Sequence, residues 1–101
     1  IDLVAAGEVW RRGSVVQSWL NDLCQQALAE NPNLDGVEGY VAESGEARWT
    51  IETAKSLNIP LPSIEASFDV RLRSQKGETN FATKLLAAMR NKFGGHAVNK
   101  E

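Results

Sequence analysis

The apolar residues of this chain recur at intervals of three or four, and this spacing constrains the fold more than any other feature. Phe81, Leu85, Met89 and Phe93 follow one another at every fourth position, which places their side chains on one face of an α-helix. No stretch of any length alternates between apolar and polar residues, so no sheet is expected. The sequence therefore predicts an all-α fold of about five helices in one domain, residues 1–101.

Capping signals set the expected limits of the first two helices. Asp2 is expected to cap a helix that runs to about Trp10. Ser14 and Gln17 have the spacing of a capping box and are predicted to open the second helix. That helix is expected to end before Pro32, because proline disfavours helical backbone at the residue before it.

Three further helices are expected after a glycine-containing loop at residues 31–46. The third helix is predicted at about residues 47–57. Ser63 is expected to cap the fourth helix, and Thr79 or Asn80 the fifth, at about residues 80–93. The residues expected to face inward include Val16, Leu20, Leu23, Ala27, Trp49, Ile51, Ala54, Leu57, Ile64, Phe68 and Leu72. These stripes are wide for so short a chain, so apolar surface is expected to remain for another domain or subunit.

Charge and composition exclude several classes of protein. Residues 1–69 carry a net charge of −7 and residues 70–101 a net charge of +5, which favours an anionic ligand or an acidic neighbouring subunit. Basic residues without interleaved aromatic residues argue against nucleic-acid binding. No apolar run is long enough to span a membrane. A start at Ile1 and a single cysteine, Cys24, indicate a piece of a longer cytoplasmic protein.

Catalytic, cofactor and metal-binding motifs are not expected in this chain. No glycine cluster follows a strand, as nucleotide binding by a Rossmann domain would require. The single histidine, His96, has no partners at metal-ligand spacing, and Cys24 lies in an apolar pattern that predicts a buried, inert thiol.

Anion binding has more support, although an ordinary structural interpretation stays open for each candidate. Arg90 lies at the edge of the last apolar stripe, and Gly94 can end that helix so that His96 folds back toward the arginine. Spacing alone favours a plain capped helix end. Arg71 follows Phe68 by three and is either a second anion ligand or a surface arginine in a weak ion pair.

Three separated segments together carry a family resemblance. They are Trp10-Arg11-Arg12-Gly13-Ser14-Val15-Val16-Gln17-Ser18-Trp19-Leu20, Ser44-Gly45-Glu46-Ala47-Arg48-Trp49-Thr50, and Arg90 through Phe93-Gly94-Gly95-His96. In this order they resemble the C-terminal helical domain of the decarboxylating 6-phosphogluconate dehydrogenases, and more closely the short bacterial form. The resemblance covers essentially the whole chain.

The resemblance implies a role within a larger enzyme of the pentose phosphate pathway. Such an enzyme binds NAD or NADP in an N-terminal Rossmann domain, oxidises C3 of 6-phosphogluconate and decarboxylates the product to ribulose 5-phosphate. Its lysine base and glutamate acid lie in a motif resembling KMVHNGIEYG, which this chain lacks. The helical domain completes the substrate site and forms a homodimer or a dimer of dimers. The chain alone is therefore expected to be inactive.

By the same resemblance, substrate binding is the role that this chain retains. Arg71 matches an arginine that contacts the substrate phosphate. Arg90 and His96 match a pair that reaches into the neighbouring subunit's site. Ser44 stands where long forms have a substrate-binding lysine, and Arg48 is expected to supply charge nearby.

Two other functions stay open at this point. One is a stand-alone helical interaction module, and the other is a related β-hydroxyacid dehydrogenase that acts on a different anion. A glycine-rich fingerprint and a lysine–glutamate helix upstream would separate the enzyme from the module.

Overall fold

A computed structural model describes residues 1–94 of the chain, and these residues form five α-helices without an extended strand. The helices are α1 (Leu3–Trp10), α2 (Trp19–Glu30), α3 (Glu46–Ser56), α4 (Pro62–Gln75) and α5 (Phe81–Lys92). The all-α prediction is confirmed. α2 packs against both α1 and α5, while α3 packs against α4.

The start of α2 differs from the prediction. α1 begins as expected, with the Asp2 carboxylate accepting from the Ala5 N–H at 3.0 Å. α2, however, begins at Trp19, and the Ser18 hydroxyl rather than Ser14 caps it. The predicted capping box was wrong because both of its side chains bond backward and close the turn after α1. Ser14 donates to the Trp10 carbonyl, and the Gln17 amide oxygen accepts from the Gly13 N–H.

The later helix starts were predicted with mixed success. α4 begins at Pro62, one residue before the predicted cap Ser63, because proline's fixed φ angle suits the first helical position and its missing N–H costs nothing there. α5 has the Asn80 cap, with the Asn80 carboxamide accepting from the Thr83 N–H at 3.0 Å. The Thr83 hydroxyl oxygen in turn accepts from the Asn80 N–H, which completes a capping box.

A segment without regular structure forms part of the core. Leu34, Val37 and Val41 are buried although all three lie between α2 and α3. The Asn31 side chain bonds both the N–H and the carbonyl of Asp35, and this tight turn directs Leu34 inward. Leu34 and Val37 pack against Ala87 of α5. The predicted loop at 31–46 is therefore present, but it contributes core residues as a helix would.

Several residues expected to face inward are exposed instead. Leu23, Ala27, Ile51, Ala54 and Phe68 are buried as predicted. The exposed members of the predicted stripes are Val16, Leu20, Trp49, Leu57, Ile64, Phe81 and Phe93. Periodicity identifies the apolar face of a helix but does not show whether the same chain covers that face. The expected apolar surface is thus present on the described residues.

Candidate functional site

The candidate site is built on a contact between the loop before α3 and the last turns of α4. The buried Ser74 hydroxyl accepts a hydrogen bond from the Val41 N–H at 3.0 Å and donates to the Arg71 carbonyl at 2.7 Å. The Gln75 side chain donates to the Val41 carbonyl at 3.0 Å. Both backbone groups of Val41 are therefore bonded by α4, which holds the following residues, Ala42 and Glu43, beside that helix.

Glu43 and Arg48 form an ion pair across the start of α3. The Glu43 carboxylate accepts from Arg48 Nη2 at 3.2 Å and from Nε at 3.4 Å. Gly45 makes this approach possible, because its φ of +95° turns the chain into α3 between the two partners. The Arg48 guanidinium also lies 4.9 Å from the ring centre of Phe68, a distance typical of a cation–π contact.

Arg71 lies next to this pair on α4. Its guanidinium is half-buried and donates from Nη1 to the Ala42 carbonyl at 3.5 Å, the outer limit of a hydrogen bond. Burial lowers the pKa of Arg71, the positive charge of Arg90 lowers it further, and the negative charge of Glu43 opposes both effects. A positive charge and a negative charge therefore both act on Arg71.

Arg90 comes from the last turn of α5. Two contacts hold this end of α5 against α2: the rings of Trp19 and Phe93 have centroids 4.8 Å apart, and Lys92 forms an ion pair with Glu30. Arg90 is partly buried, and its effect on the pKa of Arg71 places the two charges within electrostatic range in one chain. We call Arg48, Arg71 and Arg90 the arginine cluster.

The arginine cluster brings together three of the five residues that the sequence singled out. Ser44 is exposed and lies between Glu43 and the start of α3. His96 lies outside the described residues. Sequence reasoning missed Glu43, because an acid two positions before a glycine carries no signal of its own. Only the bonding of Val41 to α4 brings that carboxylate beside the arginines.

The other candidate chemistry is limited. Cys24 is partly rather than fully buried, and burial raises the pKa of its thiol. Between residues 1 and 94, no three His, Cys, Asp or Glu side chains cluster as metal ligands. None of the described helices is both long and apolar enough to cross a bilayer.

An apolar groove lies between α1, the first half of α2 and α5. The groove has a volume of about 560 Å³ and is lined mainly by Trp10, Val15, Val16, Leu20, Cys24 and Met89. Val15 is fully exposed, and Trp10, Val16 and Leu20 are each at least half exposed. Exposed side chains of this size and proximity are typical of a surface that contacts another protein.

Comparison with known proteins supports the same family as the three motifs. No family model matches the chain. It is 43% identical over 100 residues to YqeC of Bacillus subtilis, whose name assigns it provisionally to the 6-phosphogluconate dehydrogenases. It is 31% identical over 102 residues to the NAD(+)-dependent, decarboxylating 6-phosphogluconate dehydrogenase of Haloferax volcanii. A decarboxylating 6-phosphogluconate dehydrogenase of Lactococcus lactis is 29% identical over 103 residues.

The extent of these matches is as informative as their names. The alignments cover 99%, 100% and 93% of this chain, but only 33%, 34% and 21% of the three relatives. The chain thus spans about a third of the length of the first two. The resemblance to 6-phosphogluconate dehydrogenases is confirmed, and it extends over essentially the whole chain.

Proposed function

We propose that the chain is the helical substrate-binding and dimerisation domain of a decarboxylating 6-phosphogluconate dehydrogenase, a cytoplasmic enzyme. The complete enzyme would oxidise C3 of 6-phosphogluconate with NAD or NADP bound by an N-terminal domain, and loss of carbon dioxide would give ribulose 5-phosphate. One relative is named as NAD(+)-dependent, which supports NAD as the coenzyme. The observation that carries the proposal is the similarity of nearly the whole chain to these enzymes, and the arginine cluster supports it with positive charge suited to an anionic substrate.

The electrostatics of the cluster suit a phosphate. Burial is the main cause of the lowered pKa of Arg71, and repulsion from Arg90 lowers this pKa further. A phosphate bound to Arg71 offsets this repulsion with an attraction, and guanidinium groups bind phosphate oxygens through paired, charge-assisted hydrogen bonds. The half-buried position of Arg71 strengthens such contacts, because water screens them less there.

The contribution of this domain is binding rather than proton transfer. The family's lysine base and glutamate acid belong to a motif that this chain does not contain. Arg71 is proposed to contact the phosphate of its own subunit, and Arg90 with His96 that of the neighbouring subunit. Holding the phosphate fixes the distance of C3 from groups supplied elsewhere in the enzyme, which lowers the entropic cost of reaction.

The first test is replacement of Arg90 or His96 by alanine in the full-length enzyme. Each substitution is expected to raise KM for 6-phosphogluconate by about tenfold or more, because each removes a charge-assisted contact to the phosphate. kcat should change much less, since neither side chain takes part in proton transfer. Steady-state kinetics of coenzyme reduction measures both constants.

A matched control for this test is Arg73→Ala. Arg73 is an exposed arginine of α4 that pairs with Asp69 at 2.9 Å and lies outside the cluster, so KM should stay near the wild-type value. An unchanged KM in both the Arg90 and the His96 variants would contradict the proposed phosphate contacts.

The second test concerns the proposed homodimer. The apolar groove is proposed to form part of the subunit interface, and the chain is expected to self-associate. Val15→Asp should weaken association by more than tenfold, because it introduces a charge into an apolar contact. Val15 is fully exposed in one chain, so the substitution leaves the core intact. Light scattering over a concentration series measures the effect.

Gln26→Asp is the control for the dimer test, since it adds the same charge at an exposed polar position of α2. It should leave association close to that of the wild type. A wild-type chain that stays monomeric at high concentration would rule out the proposed interface.

A further inference from the structure

Glu43 places a carboxylate of the protein itself against the arginine cluster. Both of its oxygens face the guanidinium of Arg48, at 3.2 and 3.4 Å, and its negative charge also acts on Arg71. The Glu43 side chain is only 14% exposed, whereas that of Arg48 is 48% exposed. The carboxylate is therefore held inside the cluster while the arginine keeps one side open to solvent.

The Glu43–Arg48 contact is a loose one. Charge-assisted bonds between a guanidinium and a carboxylate are usually about 2.7–2.9 Å long, and both bonds here are longer than that. An ion pair with one half-exposed partner contributes little to stability. A phosphate carries roughly −1.5 to −2 charges at neutral pH and three acceptor oxygens, so it binds a guanidinium more strongly than one carboxylate does.

We propose that Glu43 acts as an internal competitor that holds Arg48 while the site is empty, and that a phosphate-bearing ligand binds by taking Arg48 from Glu43. This inference rests on the proposed function, because it assigns the regulation of the same anion site. Glu43 is then a residue that sets affinity without touching the ligand.

Competition of this kind has two consequences for binding. The apparent affinity for phosphate is reduced by the fraction of molecules in which Arg48 is still paired with Glu43. A ligand with a single carboxylate would only replace one carboxylate by another at Arg48, whereas a phosphate gains charge and an additional oxygen. Glu43 thereby favours phosphate esters over simple carboxylic acids at this site.

The test is the dissociation constant of inorganic phosphate for the full-length protein, measured by calorimetry. Glu43→Gln keeps the shape of the side chain and an oxygen acceptor for Arg48 but removes the charge. It should bind phosphate about fivefold more tightly than the wild type. Glu43→Ala should also lower the phosphate dissociation constant, so the test can still be made if the glutamine variant folds poorly.

Glu38→Gln is the matched control, because Glu38 is an exposed acid of the same loop, five residues before Glu43. It should stay within about twofold of the wild type, because water and salt screen an exposed charge. Unchanged or weaker phosphate binding in both Glu43 variants would overturn the inference, weaker binding meaning that Glu43 positions Arg48 for the ligand.

Arg71→Ala in the same titration separates this inference from the proposed function. Weaker phosphate binding in Arg71→Ala, together with an unchanged phosphate dissociation constant in the Glu43 variants, would support the phosphate site and contradict only the competitor role of Glu43. Unchanged phosphate binding in Arg71→Ala would contradict the phosphate site itself, and with it the proposed function.

Discussion

A mixture of the Arg71→Ala and Arg90→Ala variants of the full-length enzyme is expected to regain activity that neither variant has alone. If Arg71 serves its own subunit and Arg90 the neighbouring one, a hybrid dimer has one site that lacks both arginines and one site that retains both. Random reassortment of equal amounts makes half of the dimers hybrids, and one of the two sites in each hybrid is intact. About a quarter of all sites therefore have both arginines. Activity at substrate concentrations far below the KM of the two variants measures the recovery.

The control is each variant taken through the same dissociation and reassociation by itself, which should leave its activity low. Absence of recovery in the mixture would mean that Arg71 and Arg90 bind the phosphate of a single chain. This single-chain arrangement is the alternative to the proposed one, and the effect of Arg90 on the pKa of Arg71 within one chain favours it. The experiment therefore decides which subunit the arginine of α5 serves.

Gly39→Ala is expected to lower the free energy of unfolding by about 2–3 kcal/mol, the upper part of the range for overpacking a close-packed interior. Gly39 is buried, and an added Cβ would lie 2.8 Å from the Cβ of Thr79 and in severe overlap with the hydroxyl oxygen of Thr83. The Thr83 side chain cannot move away easily, because it is buried and bonded within the capping box of α5. Urea unfolding followed by circular dichroism measures the loss.

Two further variants show that this loss comes from overlap and not from backbone strain. Gly77→Ala has nothing within 4 Å of its added Cβ but has a φ of +93°, so its cost is conformational and is expected to be smaller, about 1–2 kcal/mol. Removing the Thr83 hydroxyl with Thr83→Ala should reduce the additional cost of Gly39→Ala in a double-mutant cycle. An equal cost of Gly39→Ala with and without that hydroxyl would contradict the steric explanation.

The helices were largely predictable because their signals are local. Asp2 and Asn80 cap α1 and α5 as their side-chain chemistry requires, and the four-residue spacing in α5 identified that helix. The start of α2 was not predictable, since Ser14 and Ser18 are equally good caps by chemistry. The choice between them depends on how many residues the turn after Gly13 needs, and that is a property of the packing of α1 on α2.

The candidate site was predictable only in part. Arg71 and Arg90 were candidates because they flank apolar helix faces, and the resemblance assigned them to the substrate phosphate. Their spacing in the sequence does not show that one charge acts on the other. Their proximity depends on how α4 and α5 are arranged in space. Glu43 was invisible for the same reason, because its position depends on bonds from Ser74 and Gln75 to Val41, more than thirty residues away.

The bonding of Val41 to α4 also affects how the chain reaches its fold. Helical proteins usually fold fast because most of their contacts are local. Here the Val41 amide must find Ser74, 33 residues along the chain, before its buried N–H is paired. Closing a loop of that length costs entropy, which the packing of α3 against α4 offsets in part. The docking of this loop onto α4 is therefore expected to follow the packing of α3 against α4, and the arginine cluster forms only when that step is complete.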